Sequence, residues 1–161
     1  MEQKQTNFKE SLAFGEEGEE KIAELLIHKG FSVLPLYQFT AEFAPKILSE
    51  KNNFISPDLT VFKSGKVIFV EVKSKTRWVK FNGVRETGCN YKHYKHYKNL
   101  AETLKIELYL VFNHTEDKPE GVYYININKI GRYWDGIVNC KKVNSAMYFW
   151  NYNDLQPFDK I

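Results

Sequence analysis

Hydrophobic positions change their period several times along the 161-residue chain, and each change marks a predicted element. Apolar residues three or four apart predict helices over 8–29 and 90–105. Runs of β-branched and aromatic residues bounded by turn residues predict strands over 31–36, 59–62, 67–73, 107–112, 122–127, 133–138 and 146–150. Residues 40–56 are predicted to form a mixed connection, with or without a short helical turn. Helix, hairpin, helix and strand in this order predict an α/β domain with a mixed central sheet.

The first predicted helix carries one glutamate of an acidic run on its apolar stripe. A step of about 100° per residue groups these residues on that stripe: Leu12, Glu19, Ile22, Ala23 and Leu26. The neighbouring glutamates fall along a face expected to be wet: Glu16, Glu20 and Glu24. Gly15 and Gly18 would let another backbone approach Glu19 closely. Glu19 therefore either points inward or lies at the edge of the apolar face and reaches water.

Charged residues interrupt the predicted hairpin at one of its ends. Asp58 follows Pro57 at the start of the first strand, and Glu71 and Lys73 share one face near the end of the second strand. Pairing of the strands would place Asp58 across from Glu71. Two carboxylates at one end of a sheet could ligate Mg²⁺ through oxygen, with Lys73 as a point charge near phosphate oxygens. The alternatives are a solvated strand end for Glu71 and Lys73 and a capping role for Asp58.

Three short motifs together resemble a known superfamily. Gly18-Glu19, Pro57-Asp58 and Glu71-Val72-Lys73, in this order, are similar to the motifs of the PD-(D/E)XK nucleases. That superfamily includes restriction endonucleases, archaeal Holliday-junction resolvases and small phage nucleases. The resemblance covers about residues 15–112 and continues more weakly at 133–136. It implies an α/β/α restriction-endonuclease-like fold.

The same resemblance implies Mg²⁺-dependent hydrolysis of DNA phosphodiester bonds, with Mn²⁺ as a substitute for Mg²⁺. Asp58 and Glu71 would be metal ligands, with Glu19 as the auxiliary acid beside them, and Lys73 would be the catalytic lysine. The enzyme would be an endonuclease, with a structure-specific, resolvase-like substrate as one possibility. The alternative is a non-catalytic nucleic-acid-binding or assembly module on the same fold. DNA is the expected partner ahead of RNA, and a homodimer is compatible with the sequence.

Basic and aromatic residues interleave between the lysine and the second helix. Residues 74–85 contain few acids, so a flexible loop facing nucleic acid is predicted there. The residues expected to contact nucleic acid in this segment are Lys75, Arg77, Trp78, Lys80 and Arg85. The alternative is an ordinary surface loop in which Trp78 and Phe81 pack as a small satellite core.

The second predicted helix separates its aromatic residues from its lysines. Its apolar face would contain Tyr94, Tyr97, Leu100, Ala101 and Leu104, and the opposite side Lys92, Lys95 and Lys98. The lysines either contact phosphates, Lys92 first among them, or only keep the helix soluble. His93 lies at the edge of the apolar face. It resembles the additional site residue that follows the lysine in small phage nucleases, and this resemblance implies that it contacts nucleic acid.

Composition limits the possible domain count, partners and cysteine chemistry but does not point to a reaction. A single domain over 1–161 is predicted, and its net charge of +3 permits a nucleic-acid partner without requiring one. The two cysteines, Cys89 and Cys140, are far apart and form no zinc or redox motif, so free thiols in the cytoplasm are expected. His28 and His114 have no ligand spacing and are expected at the surface.

Overall fold

A computed structural model describes residues 2–36, 45–48, 53–138, 141–142 and 144–161, with side chains from residue 13 onward except that of Val138. The predicted connection 40–56 lies partly outside this range, as do the side chain of Leu12 and all of Cys140. In chain order the elements are α1 (Glu2–His28), β1 (Ser32–Pro35), β2 (Lys46–Leu48), β3 (Asn53–Ile55), β4 (Leu59–Lys63), β5 (Lys66–Lys75), β6 (Val79–Phe81), β7 (Val84–Asn90), α2 (Tyr91–Leu104), β8 (Glu107–His114), β9 (Gly121–Asn126), β10 (Arg132–Trp134), β11 (Ile137–Val138), β12 (Lys141–Lys142), β13 (Met147–Asn151) and β14 (Gln156–Pro157). Short 3₁₀ turns cover Tyr152–Asp154 and Phe158–Lys160.

A mixed sheet forms the centre of the described structure. Its strands lie in the order β1-β4-β5-β8-β9-β14, and β5 and β8 run parallel while the other neighbours are antiparallel. The long connection that a parallel pair requires runs from β5 to β8 through β6, β7 and helix α2. The mixed central sheet agrees with the predicted fold class. No helix in the described part of the chain is both long and apolar enough to cross a bilayer.

Each face of the central sheet buries its own apolar cluster. Helix α1 covers one face, where Ile22 and Leu26 pack in one cluster with Val70 and Val72 of β5. The opposite face holds the larger cluster, which contains Phe69 of β5 together with residues of α2 and of a second sheet. Strand β5 is therefore covered on both sides, which explains its nearly continuous apolar sequence.

Helix α2 matches its predicted apolar face with one exception. Four of the five residues named for that face are buried: Tyr94, Tyr97, Leu100 and Ala101. Leu104 is 38% exposed, because it occupies the last turn before the left-handed C-cap residue Lys105. At the other end the Asn90 side chain accepts a hydrogen bond from the Lys92 backbone N–H at 2.9 Å, which caps the helix.

The segment predicted as a flexible loop is instead a regular hairpin. Strands β6 and β7 are joined by Asn82-Gly83, both at positive φ, which is the backbone of a tight two-residue hairpin turn. Strand β7 then pairs with β13, and β13 with β10, so the four form an antiparallel sheet in the order β10-β13-β7-β6. The loop prediction was wrong because the high content of basic residues was taken as a loop signal, although apolar and polar side chains alternate there as in an edge strand.

Two further expectations about exposure have opposite outcomes. His28 is exposed, as expected. His114 was expected at the surface but is only 2% exposed, since it ends β8 and its ring stacks on Trp78 with centroids 3.6 Å apart. That stacking also buries Trp78, which packs in the larger core cluster. The alternative interpretation, a small satellite core of Trp78 and Phe81, is therefore right about the burial of Trp78 but wrong about Phe81, which is 45% exposed.

Gly18, but not Gly15, permits a close approach of α1 to the sheet. A Cβ placed on Gly18 would lie 2.0 Å from Ser74 Oγ, whereas one on Gly15 would meet nothing within 4 Å. Gly18 thus permits a close approach, although of the Ser74 side chain and not of a backbone, and the expectation for Gly15 is wrong. Ser74 is the residue after Lys73, so this contact sets the distance between α1 and the charged end of β5.

We expect Gly18→Ala to destabilise the protein by about 1–2 kcal/mol, because overpacking outweighs the gain in helix propensity. Gly15→Ala is the matched control and should be neutral or stabilising, since the added methyl enters open space. Urea unfolding followed by circular dichroism measures both. Restoration of stability by Gly18→Ala/Ser74→Ala would assign the cost to the Ser74 contact. Equal effects of the two glycine substitutions would contradict this explanation.

Candidate active site

Asp58 lies where strands β4 and β5 separate. The final backbone pair before the separation joins Leu59 and Val70, so Asp58 lies opposite Glu71. Its carboxylate Oδ2 accepts a hydrogen bond from the Val72 backbone N–H at 2.7 Å. The side chain thus takes the place that the carbonyl of a continuing strand would occupy. The Asp58 carbonyl in turn accepts from the Leu36 N–H at 2.9 Å, which ties β1 to the same point.

Glu71 and Lys73 project together from the same face of β5, on the side of α2. Glu71 is 2% exposed and its Oε1 accepts a hydrogen bond from Lys73 Nζ in an ion pair. Its second oxygen, Oε2, is buried and has no hydrogen-bond partner among the described residues. A buried carboxylate oxygen without a well-formed hydrogen bond is costly, and Tyr97, whose raised pKa includes a hydrogen-bond contribution from Glu71, lies near this carboxylate. The oxygen is therefore open to a ligand from outside the chain.

Burial and mutual repulsion raise the pKa values of the carboxyl groups around Glu71. The pKa of Asp58 is raised well above its ordinary value by burial and then by the Glu71 charge, which Lys73 offsets only in part. The pKa of Glu19 is raised by burial and again by Glu71. Burial alone would lower the pKa of Lys73, but Glu71 and Asp58 outweigh it and raise that pKa. The three carboxyl groups therefore share one electrostatic environment.

Glu19 reaches this environment from helix α1. Its side chain is half-buried, while the apolar members of its stripe, Ile22, Ala23 and Leu26, are fully packed. Glu16, Glu20 and Glu24 are exposed, as the helical pattern predicted. The close contact of Gly18 with Ser74 brings Glu19 toward the end of β5, so the inward orientation is the one observed.

The donor set fits a hard divalent cation. Carboxylate oxygens are the ligands that Mg²⁺ and Mn²⁺ prefer, and Glu71, whose Oε2 is buried without a hydrogen-bond partner among the described residues, interacts electrostatically with the buried Asp58. Within the described ranges no group of three or more His, Cys, Asp or Glu side chains is placed so that it could hold a metal ion as the side chains stand. Asp58 and Glu71, with Glu19 beside them, are therefore candidate ligands only, and a cation bound there would take its remaining ligands from water and substrate.

Other side chains enclose the carboxylates on the α2 side. Tyr97 is buried, and the nearby Glu71 and Asp58 add to burial in raising its pKa. Cys89 is a buried free thiol whose pKa burial raises to about 11. His93 is exposed, and its pKa is lowered by partial burial and by Lys73. The sequence placed Tyr97 in the core but did not indicate that its hydroxyl borders the acidic centre.

The residues predicted to contact nucleic acid occupy three places. Lys75 and Arg77 line one cavity of about 430 Å³. Lys80 and Arg85 face each other across the β6–β7 hairpin. Lys92 and His93 are exposed at the start of α2. Trp78 is the exception: its ring is buried against His114 and is closed to a base, and its Nε1–H donates to the Pro119 carbonyl at 3.1 Å.

The cavity that contains Lys75 begins beside the charged centre rather than over it. Lys75 lies on the same face of β5 as Glu71 and Lys73, about 6–7 Å beyond Lys73 along the strand. Across the cavity lie Trp134 and Asn144 from the C-terminal part of the chain. These residues were not predicted as site residues, because only long-range strand pairing brings them near β5.

Comparison with known proteins supports the fold. No protein-family model matches the chain, and no curated protein matches it significantly in sequence. Its structure is similar to that of Hjc, a Holliday junction resolvase from the archaeal hyperthermophile Archaeoglobus fulgidus, with a TM-score of 0.54 and 12% sequence identity. The match covers 86% of this chain and 89% of that one. At this identity the similarity establishes the fold alone, and it confirms the predicted α/β class with a mixed central sheet.

We expect Asp58→Asn to stabilise the cation-free protein at neutral pH. The amide oxygen can still accept the Val72 N–H, while a buried charge is removed. Because folding raises the pKa of Asp58, its carboxyl costs nothing below the ordinary range near 4, destabilises the fold increasingly as the pH rises from there toward the raised value, and costs a constant amount above that value. The melting temperature should rise by about 2–4 °C for each kcal/mol gained, and the gain should shrink toward about pH 4.

Differential scanning calorimetry across this pH range measures the effect. Glu20→Gln, on the exposed face of α1, is the control and should leave the melting temperature unchanged. Addition of Mg²⁺ should raise the melting temperature of the wild-type protein by more than it raises that of the Asp58→Asn variant. A lower melting temperature for metal-free Asp58→Asn at neutral pH would contradict the electrostatic crowding described above.

Proposed function

We propose that this protein is a divalent-metal-dependent endonuclease that hydrolyses DNA phosphodiester bonds. The observation that carries the proposal is the meeting of Asp58, Glu71 and Lys73 at one strand separation, with Glu19 brought beside them by α1. Two buried carboxylates and an unpaired carboxylate oxygen are expensive for stability alone. Their placement is accounted for if a cation and a phosphate group bind between them.

Each residue has a distinct role in this proposal. Asp58 and Glu71 hold the cation, Mg²⁺ or Mn²⁺, and Glu19 adds a carboxylate at the margin of the site. When bound, the cation supplies Lewis-acid stabilisation of the charge that develops on the scissile phosphate. Lys73 places a positive charge next to the phosphate oxygens and helps to orient the attacking group. The Val72 N–H fixes Asp58, and Tyr97 closes the α2 side against bulk water.

The substrate class rests on charge and on the fold. Lys75 and Arg77 continue from Lys73, so a polyanion is attracted to the edge of the site. The structural neighbour Hjc is a Holliday junction resolvase, which makes branched DNA the first substrate to examine. A second copy of the chain would suit paired cuts in such a substrate, and a homodimer is therefore part of the proposal.

The test is cleavage of labelled four-way, flap, duplex and single-stranded DNA with Mg²⁺, Mn²⁺ or chelator. We expect cleavage only with a divalent cation. Glu71→Gln and Lys73→Ala should each reduce the rate on the order of 10²-fold or more, because each removes a charge used in the transition state. Glu24→Gln, an exposed glutamate of α1, should cleave at the wild-type rate.

The alternative is a non-catalytic module on the same fold that binds nucleic acid or assembles with a partner. DNA binding without cleavage of any substrate, together with no Mg²⁺ binding in calorimetry, would favour that alternative. Cleavage that persists in Glu71→Gln and in chelator would reject the proposed site. An RNA panel run in parallel separates a ribonuclease from the proposed DNA-directed activity.

A further inference from the structure

The outer face of the second sheet continues the charged edge of the active site. Two cavities lie along it, of about 430 Å³ and about 320 Å³. They share Val79, Trp134 and Phe149 as lining residues, so they form one groove. Lys75, two residues beyond Lys73 on β5, lies at one end of the groove.

The groove combines aromatic surface with positive charge. Phe81 is 45% exposed, and Phe149 forms part of the floor. Arg132 lies over both rings, with its guanidinium carbon 4.0 Å from the Phe81 centroid and 5.0 Å from that of Phe149. An ion pair with Glu86 holds Arg132 in this position. Among the described residues that line the two cavities there is no carboxylate, while Lys75, Arg77 and Lys80 add positive charge.

Trp134 differs from the other two tryptophans of the chain. Trp78 and Trp150 are buried and contact other aromatic rings. Trp134 is half-buried, lines both cavities and packs on no aromatic ring among the described residues. A partly accessible indole above an aromatic floor, with cations at the rim, is the chemistry that binds the faces of unpaired bases.

We propose that this groove binds an unpaired strand of DNA that leaves the active site, with Trp134 stacking on one of its bases. The inference rests on the proposed nuclease function and makes its substrate more specific: DNA with a single-stranded segment next to the cut. A closed duplex offers phosphates but not base faces, so it would use the rim cations and leave the aromatic floor uncovered.

Binding is measured in chelator, so that cleavage does not interfere. The probes are a fluorescein-labelled duplex with a single-stranded tail of about ten nucleotides, which is within the span of known single-strand sites, and the same duplex without a tail. We expect wild-type protein to bind the tailed duplex about tenfold more tightly. Trp134→Ala should lose most of this preference, and Trp134→Phe should retain part of it, because each stacked base contributes about five-fold or more.

Tyr133→Ala is the matched control. Tyr133 is an exposed aromatic neighbour on β10, but it points to the other face of the strand and packs on Tyr91. It should leave the preference for tailed DNA unchanged. Tryptophan fluorescence gives a second readout, since Trp134 is more exposed than the other two tryptophans. Tailed DNA should quench wild-type fluorescence, and the quenching should disappear in Trp134→Phe.

A charge variant keeps the test informative if Trp134→Ala does not fold. Arg77→Gln should weaken binding of the tailed duplex, whereas Lys66→Gln, at the opposite end of β5, should not.

Equal wild-type affinity for tailed and blunt duplexes, without quenching, would overturn the inference. So would a change in oligomeric state on Trp134→Ala with DNA affinity intact, because the groove would then bind a second copy of the chain. Absence of cleavage with the tail preference intact would reject the nuclease function and leave this groove assignment standing.

Discussion

The hydrogen bond from the Val72 N–H to the Asp58 carboxylate is the interaction on which the site depends. Strand β4 leaves β5 at this point, and the interior N–H would be buried without a partner if Asp58 did not replace the missing carbonyl. Satisfying this donor with a carboxylate forces a negative charge into the sheet beside Glu71. The same carboxylate therefore meets a backbone requirement of the fold and adds a buried acidic group to the candidate site.

The surrounding elements offset the buried negative charge of Asp58 and Glu71 only in part. Lys73 pairs with Glu71, yet one oxygen of Glu71 stays without a hydrogen-bond partner among the described residues. Helix α1 approaches closely enough to add a third carboxylate, Glu19, only because Gly18 has no side chain. The unpaired oxygen of Glu71 and the added carboxylate of Glu19 each lower the stability of the protein when no cation is bound. Local conflicts of this kind are typical of functional sites, where stability is given up for binding and chemistry.

The sequence predicted those parts of the fold that local patterns determine. The β4–β5 hairpin followed from two β-rich runs around Ser64-Gly65, and the inward position of Glu19 followed from the helical stripe. The second sheet was missed because its pairs are distant in sequence, such as Glu86 with Asn151. Asn82-Gly83 was a local signal for the β6–β7 hairpin, but the basic residues around it were interpreted as a loop. Trp134 could not be found from sequence, because its role depends on that long-range pairing.

The distribution of charge, rather than the net charge of +3, decides from which side a polyanion can approach. Glu16, Glu20 and Glu24 make the exposed face of α1 repulsive to phosphates. Lys75 and Arg77 lie beyond the opposite margin of the carboxylates, on the end of β5 and the segment that follows it. Under the proposed function, a DNA backbone attracted by these cations would meet Lys73 before it meets the acidic centre. Strand β5 would then supply both the attraction for the substrate and a carboxylate for the cation, because Glu71, Lys73 and Lys75 follow one another along one face of the strand.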